Sequence, residues 1–193
     1  MYKLCKTEQS AQRQRQLEEG LLRIMINTCY DEISVSDLCQ QLDIPRKSFY
    51  RYFTSKDGAL HALIDHTLME FEGFDELYKV GEKRTLQRDL EKFFLFWLRR
   101  KPLLDALQRS GLSGVLIERA ITYSLTDVVF PGKYLPDETR QTQNHVVMFS
   151  VCGLMSMMLQ WHRDGYQLKI PEMARVASRL LTCPLFPEAG RLL

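Results

Sequence analysis

The chain has 193 residues and a mass of 22.6 kDa, with 45% hydrophobic and 26% charged side chains; such a composition buries a sizeable core and excludes a disordered chain. Lysine and arginine number 26 against 24 acidic residues, a net charge of +2, which excludes a protein that coats nucleic acid by bulk charge but leaves room for a local basic patch. The five cysteines (Cys5, Cys29, Cys39, Cys152 and Cys183) form no C-x-x-C pair, and residues 1–10 are polar with no signal-like apolar run. Both features point to a soluble protein of the reducing cytoplasm, and the longest apolar stretch, residues 146–159, falls short of the roughly 20 residues of a membrane span.

Helical spacing recurs along the chain, and no segment alternates polar and apolar residues over a strand length. Residues 12–31 carry Leu17, Leu21, Ile24 and Thr28 on one stripe. Ser34 stands before Val35, Leu38, Cys39 and Leu42, and Asp37 completes a capping box with aspartate in place of glutamate. Asp43-Ile44-Pro45 then interrupts, because proline disfavours helical geometry in the residue before it and suits the first turn of the next helix. That helix covers residues 45–53. Thr54-Ser55 caps another, with Leu60, Leu63, Ile64, Thr67, Leu68 and Phe71 on one face. Residues 73–81 read as a loose connection. The helix of residues 85–101 contains Phe93-Phe94-Leu95-Phe96-Trp97-Leu98, apolar all round, as in a central bundle helix. Pro102 opens a short helix that ends near Ser110-Gly111. Residues 113–130 form the next helix, 131–136 a loop, and 137–164 a long helix ending at Gly165. Pro171 opens the last, striped with Met173, Val176, Ala177, Leu180 and Leu181. The expectation is an all-α chain of about nine helices without internal repeats.

The informative segment is residues 34–58. Two short helices joined by a three-residue turn make a helix-turn-helix, whose second helix enters the major groove of DNA. On that second helix Phe49, Tyr52 and Phe53 share the side that packs on Leu38 and Leu42, while Arg46, Lys47, Tyr50 and Arg51 share the other. From Arg46 to Lys56 there are four basic residues and no acidic one. The local charge of +4 exceeds that of the whole chain, which is the electrostatic footprint that DNA binding requires.

Ser34-Val35-Ser36-Asp37-Leu38-Cys39 followed by Ser48-Phe49-Tyr50-Arg51-Tyr52-Phe53-Thr54-Ser55-Lys56-Asp57 resembles the DNA-binding module of TetR/AcrR-type bacterial transcriptional regulators. The resemblance in motif covers about residues 10–65; the rest matches in architecture alone. It implies that residues 45–53 are the recognition helix and that Arg46, Lys47 and Arg51 contact bases or phosphates. It further implies that Ser34, Ser36 and Ser48, the hydroxyls of Tyr50 and Tyr52, and Lys56 at the start of the connecting helix meet the DNA backbone. A helix N-terminus carrying a lysine favours a phosphate. The sequence departs from the family pattern in the turn, where Asp43 stands for a usual glycine and Pro45 for a usual serine or threonine cap. Lys47 also replaces a residue that is usually small.

A single recognition helix reads few base pairs, so such proteins bind as dimers on two half-sites. The expected division is a helix-turn-helix domain of residues 1–56 and a helical effector-binding and dimerisation domain of residues 57–193. Val147, Val151, Leu154, Met158 and Trp161, with Val176 and Leu180 of the last helix, are the expected dimer surface, forming a four-helix interface with the partner. Phe93, Trp97, Tyr123 and Phe149 are the expected walls of an effector pocket, with Arg119 and His145 as polar anchors. Ser110-Gly111-Leu112-Ser113-Gly114 is not a nucleophile elbow, the four histidines lack metal-ligand spacing, and no phosphate loop or dinucleotide fingerprint is present. The reading is therefore a cytoplasmic homodimeric regulator, a repressor by default, that binds a palindromic operator and responds to a small-molecule effector. It has no cofactor, metal or enzymatic activity. The alternative is a helical co-regulator acting through a protein partner.

Overall fold

The structure, a computed structural model, describes residues 1–74, 84–126 and 139–182. Most of the expected connection at 73–81, the end of the helix expected at 113–130, the loop at 131–136, the start of the helix expected at 137–164, and Cys183 lie outside the described residues. Among those described, nine α-helices and no strand are present: α1 (Glu8–Met25), α2 (Val35–Gln41), α3 (Arg46–Tyr52), α4 (Lys56–Glu72), α5 (Leu86–Arg99), α6 (Lys101–Arg109), α7 (Ser113–Thr126), α8 (Arg140–Arg163) and α9 (Ile170–Thr182). The chain is all-α, as its periodicity predicts.

The helix starts follow from side-chain caps. Thr7, Ser55, Thr85 and Thr139 each accept a hydrogen bond from the backbone N–H three residues on, satisfying donors that the helix leaves orphaned. Ser34 makes the expected capping box: its Oγ accepts from the Asp37 N–H, and Asp37 Oδ2 accepts from the Ser34 N–H, each at 3.1 Å. The Thr7 cap starts α1 four residues earlier than the apolar stripe indicates. Its end also comes earlier than residue 31, because the chain leaves the helix at Met25 and makes a single 3-10 turn at Tyr30–Glu32. The Arg109 guanidinium donates to the carbonyls of Met25 and Ile26 and so caps that end.

Apart from Val147, the buried hydrophobic side chains among the described residues form one continuous cluster. In the N-terminal part Leu21, Met25, Leu38, Phe49, Phe53, Leu60 and Ile64 are sealed from solvent. α2 lies so close to α1 that a Cβ on Gly20 would sit 2.6 Å from the Leu42 side chain. In the remainder α5 packs along α9 and α7 along α8, around Phe94, Phe96, Trp97, Leu103, Leu104, Leu116 and Met158. α4 touches both α1 and α7 and joins the two parts. A bidentate ion pair sits on this joint: the Arg119 guanidinium on α7 grips the buried Asp65 carboxylate on α4, and the Tyr2 hydroxyl donates to Asp65 Oδ2 at 2.8 Å. Burial, then the Asp65 hydrogen bond, pushes the Tyr2 phenol up to about 12.

Asp43 in the α2–α3 turn has φ 49°, a left-handed conformation that aspartate tolerates and that costs a β-branched residue more. Asp43→Gly should therefore raise Tm by about 2 °C, and Asp43→Val should lower it; calorimetry on the two variants reads both signs.

Candidate nucleic-acid interface

α3 has seven residues and no side-chain cap, Pro45 standing at its N-cap with φ −62°. It is held by burial of Phe49 and Tyr52, with Phe53 just beyond its end; the Phe49 and Phe53 rings are 5.2 Å apart. The opposite face carries Arg46, Lys47, Tyr50 and Arg51, all exposed. Among the described residues no ion pair engages Arg46, Lys47 or Arg51. Three cations on a convex helix with no carboxylate partner are available to an external polyanion.

The other expected contact residues are placed differently. Ser34 uses its hydroxyl inside the capping box, donating to Asp37 Oδ2 at 2.6 Å, whereas Ser36 is exposed at the α2 N-terminus. The bonds from Ser34 hold the exposed Asp37 carboxyl below its ordinary value. Ser48 is half-buried, and Tyr52 is only 8% exposed, so Tyr52 belongs mainly to the α3 packing face. Lys56 is half-buried at the start of α4; its Nζ donates to the Tyr30 carbonyl and lies 4.1 Å over the Tyr30 ring. Lys56 thus ties the two helix-turn-helix flanks together, with further N–H groups left on its ammonium for a phosphate. The Tyr30 hydroxyl in turn donates to Asp57 Oδ1 at 2.7 Å. Burial first, and that carboxylate second, hold the Tyr30 phenol well above its ordinary value.

The structure adds two features that the sequence pattern does not reveal. A polar groove of about 530 Å³ runs between α1 and α3, with Gln9, Gln12, Arg13 and Gln16 on one wall and Ser48, Arg51 and Tyr52 on the other, and no acidic residue lines it. Its signal in the sequence is the acid-free run Gln9-Ser10-Ala11-Gln12-Arg13-Gln14-Arg15-Gln16. The N-terminal residues also lie as a strap over the α3–α4 junction. Tyr2 pairs with Phe53 in an antiparallel bridge, the Lys3 N–H donates to the Tyr52 carbonyl at 3.0 Å, and the Thr54 N–H and hydroxyl donate to the Met1 carbonyl.

Among the described residues, those expected to form an effector pocket are dispersed between the core, the α4–α7 joint and the surface. Trp97 is sealed in the core, Phe93 makes edge contacts with Phe71 and Phe94, Arg119 is bound to Asp65, and Tyr123 donates to Glu72. His145 and Phe149 lie on the outside of α8, Phe149 being 69% exposed. On the same helix Val147, Leu154, Met158 and Trp161 are buried inside the protomer and Val151 is half-buried. The apolar residues that α8 turns outward are instead Val146, Met148 and Phe149, next to exposed Gly153; Val176, Leu180 and Leu181 do the same on α9. Among the described residues no group of His, Cys, Asp or Glu is arranged to hold a metal, and no helix is long and apolar enough to cross a membrane.

Among solved structures, the fatty acid degradation regulator FadR from Bacillus halodurans superposes with a TM-score of 0.60 at 11% identity, over 94% of this chain and 98% of that one. A tetR-family transcriptional regulator from Streptomyces coelicolor superposes with a TM-score of 0.53 at 21% identity, over 89% of this chain and 79% of that one. The chain has the TetR-type fold. No family model matches it. The HTH-type transcriptional regulator EthR of Mycolicibacterium smegmatis is 37% identical over 76 residues, 37% of this chain and 35% of that protein, so the match spans about a third of the relative's length. Motif and fold thus resemble the same TetR/AcrR-type regulators, and each of these relatives is named a regulator rather than an enzyme.

The strap on this TetR-type module depends on Gly58, where a Cβ would overlap the Met1 carbonyl. Gly58→Ala should displace the strap without melting α4, seen as faster hydrogen exchange at the Lys3 amide and unchanged exchange at Leu63 and Ile64. Unchanged protection at Lys3 would show that the strap is not held there.

Proposed function

We propose that this chain is a homodimeric, DNA-binding transcriptional regulator of the TetR/AcrR type, a repressor by default, that reads a palindromic operator with α3. The observation that carries the reading is the cationic face of Arg46, Lys47 and Arg51, free of ion pairs among the described residues, on a helix whose opposite face is locked in the core. Arginine on a base edge supplies specificity, while Ser36, Ser48, Tyr50 and Lys56 on the backbone fix register. The groove between α1 and α3 extends this surface, with Arg13 on one wall and Arg51 on the other suited to a flanking phosphate. Residues 57–193 act in this reading as the dimerisation and effector domain of a cytoplasmic protein. An effector that prefers a wrongly spaced dimer lowers operator affinity by shifting the population of conformers.

Dimerisation is supported by the outward apolar residues of α8 and α9. Phe149, Val146, Val176, Leu180 and Leu181 are each more than a third exposed in the protomer, and nothing lies within 4 Å of a Cβ on Gly153, so a partner helix has room to approach. Two helices from each subunit give an isologous four-helix interface.

Three measurements test this. Selection of genomic DNA fragments by the purified protein at near-physiological salt should enrich an inverted repeat that Tyr50→Ala/Arg51→Ala fails to retain; no enrichment, or equal enrichment by the double variant, contradicts the reading. On the selected site Arg13→Ala should weaken binding about equally across base variants and make the salt dependence shallower by about one unit of log–log slope for each phosphate that Arg13 neutralises. Phe149→Glu should convert the sedimenting dimer to a folded monomer, and a native protein that already sediments as one chain at micromolar concentration removes the dimer.

A further inference from the structure

A second cleft, of about 450 Å³, is lined by residues far from α3 in sequence. α6 supplies Lys101, Asp105 and Arg109, and the end of α8 with the turn after it supplies His162, Arg163 and Tyr166. Three cations face a single carboxylate. Lys101 Nζ donates to Asp105 Oδ2 at 2.7 Å, Arg163 to Gln160 Oε1 at 2.8 Å, and Arg109 to the α1 carbonyls of Met25 and Ile26. Each keeps further N–H groups beyond those bonds.

The floor of the cleft is built. His162 is 7% exposed; its Nδ1 lies 2.7 Å from the Tyr166 hydroxyl and its Nε2 3.2 Å from Asp105 Oδ1. Burial lowers the His162 pKa and, as the leading cause, pushes the Tyr166 phenol up to about 12. At neutral pH Tyr166 is then the donor to Nδ1, and His162 carries its proton on Nε2, toward Asp105.

The backbone under this pair is strained. α8 ends in a Schellman motif: the Gly165 N–H donates to the His162 carbonyl and the Tyr166 N–H to the Trp161 carbonyl, with Gly165 at φ 67° supplying the left-handed residue the motif needs. Tyr166 follows at φ 61°, a second left-handed residue that the motif does not require and a bulky side chain resists. It is held there by its ring on Trp161, 4.7 Å centroid to centroid, and by its hydroxyl on His162. Strain of this kind persists only where the surrounding structure over-determines it.

We propose that this cleft binds a compact anion of two or more charges, a polycarboxylate or a phosphate-bearing molecule, between Lys101, Arg109 and Arg163, while the His162–Tyr166 pair, with both its protons committed to internal partners, shapes the floor beneath them. The site lies outside the set Phe93, Trp97, Arg119, Tyr123, His145 and Phe149 expected from sequence. It also abuts the joint to the helix-turn-helix, since Arg109 caps α1 and the Tyr30 N–H donates to Ser110 Oγ at 3.0 Å. An anion that draws Arg109 away uncaps α1, which is how occupancy reaches α3. That consequence rests on the DNA-binding reading; the binding does not, and it is measured without DNA.

The full-length chain is titrated with citrate and, separately, inorganic pyrophosphate at constant ionic strength, with sodium chloride as the control. The indole N–H resonance of Trp161, which donates to the Leu168 carbonyl beside the cleft, is the readout. A saturable shift with at least one anion and none with chloride is expected. Lys101→Ala/Arg163→Ala should weaken it about tenfold or more while leaving the unliganded spectrum intact; Arg163→Gln alone serves if the double variant fails to fold. No saturable shift with either anion, or an undiminished affinity in the charge variants, overturns the proposal.

Discussion

A helix of seven residues is too short to persist alone in water, because nucleation costs more than so few hydrogen bonds return. α3 exists because Phe49, Tyr52 and Phe53 are driven into the cluster built by α1, α2 and α4. Burying large aromatic side chains contributes on the order of 1.5–3 kcal/mol each, enough to fix a segment that has no side-chain cap. That same burial decides the orientation of everything else on the helix. With one face committed to the core, the 3.6-residue period forces Arg46, Lys47, Tyr50 and Arg51 outward together. The proposed DNA-reading surface is thus a by-product of core packing, and a rotation of α3 cannot hide the cations without exposing phenylalanine.

The rest of the N-terminal module braces this arrangement. Ser34 and Asp37 fix where α2 begins, Lys56 and Tyr30 lock α4 against the 3-10 turn, and the strap at Tyr2 and Lys3 closes the far end of α3. α4 then carries these constraints into the larger helical body through the Asp65–Arg119 pair, and Arg109 repeats the connection from α6 to the end of α1. A buried ion pair adds little net stability, but removing one partner strands the other charge. In the proposed regulator, a change in the helical body would reach α3 through contacts such as these and the Tyr30–Ser110 bond.

Several helix starts are legible because caps and proline act locally: Ser34, Ser55, Thr85 and the Pro45 turn all stand where the sequence places them, whereas the Thr7 cap of α1 is missed. The direction of a fully apolar helix is not legible. α8 is hydrophobic on more than one side, and nothing local tells which stripe faces its own core. Its spacing therefore suggests Val147, Leu154, Met158 and Trp161 for a partner, whereas packing on α5, α6 and α7 takes them inward and leaves Val146 and Phe149 outside. The roles of Lys56 and Arg119 were hidden for a related reason, since their partners, the Tyr30 carbonyl and Asp65, lie 26 and 54 positions away. The polar groove along α1 leaves only a faint trace, the acid-free run of residues 9–16, because glutamines signal neither core nor charge.

The central claim is that the cationic face of α3 meets DNA while the long C-terminal helices do not. Hydrogen–deuterium exchange of the full chain, with and without sheared genomic DNA, tests this most directly. The account predicts slowed exchange confined to α2, α3, the first turns of α1 and the start of α4, with α5, α8 and α9 unprotected by DNA. Protection centred on α8 and α9, or none at α3, would contradict it.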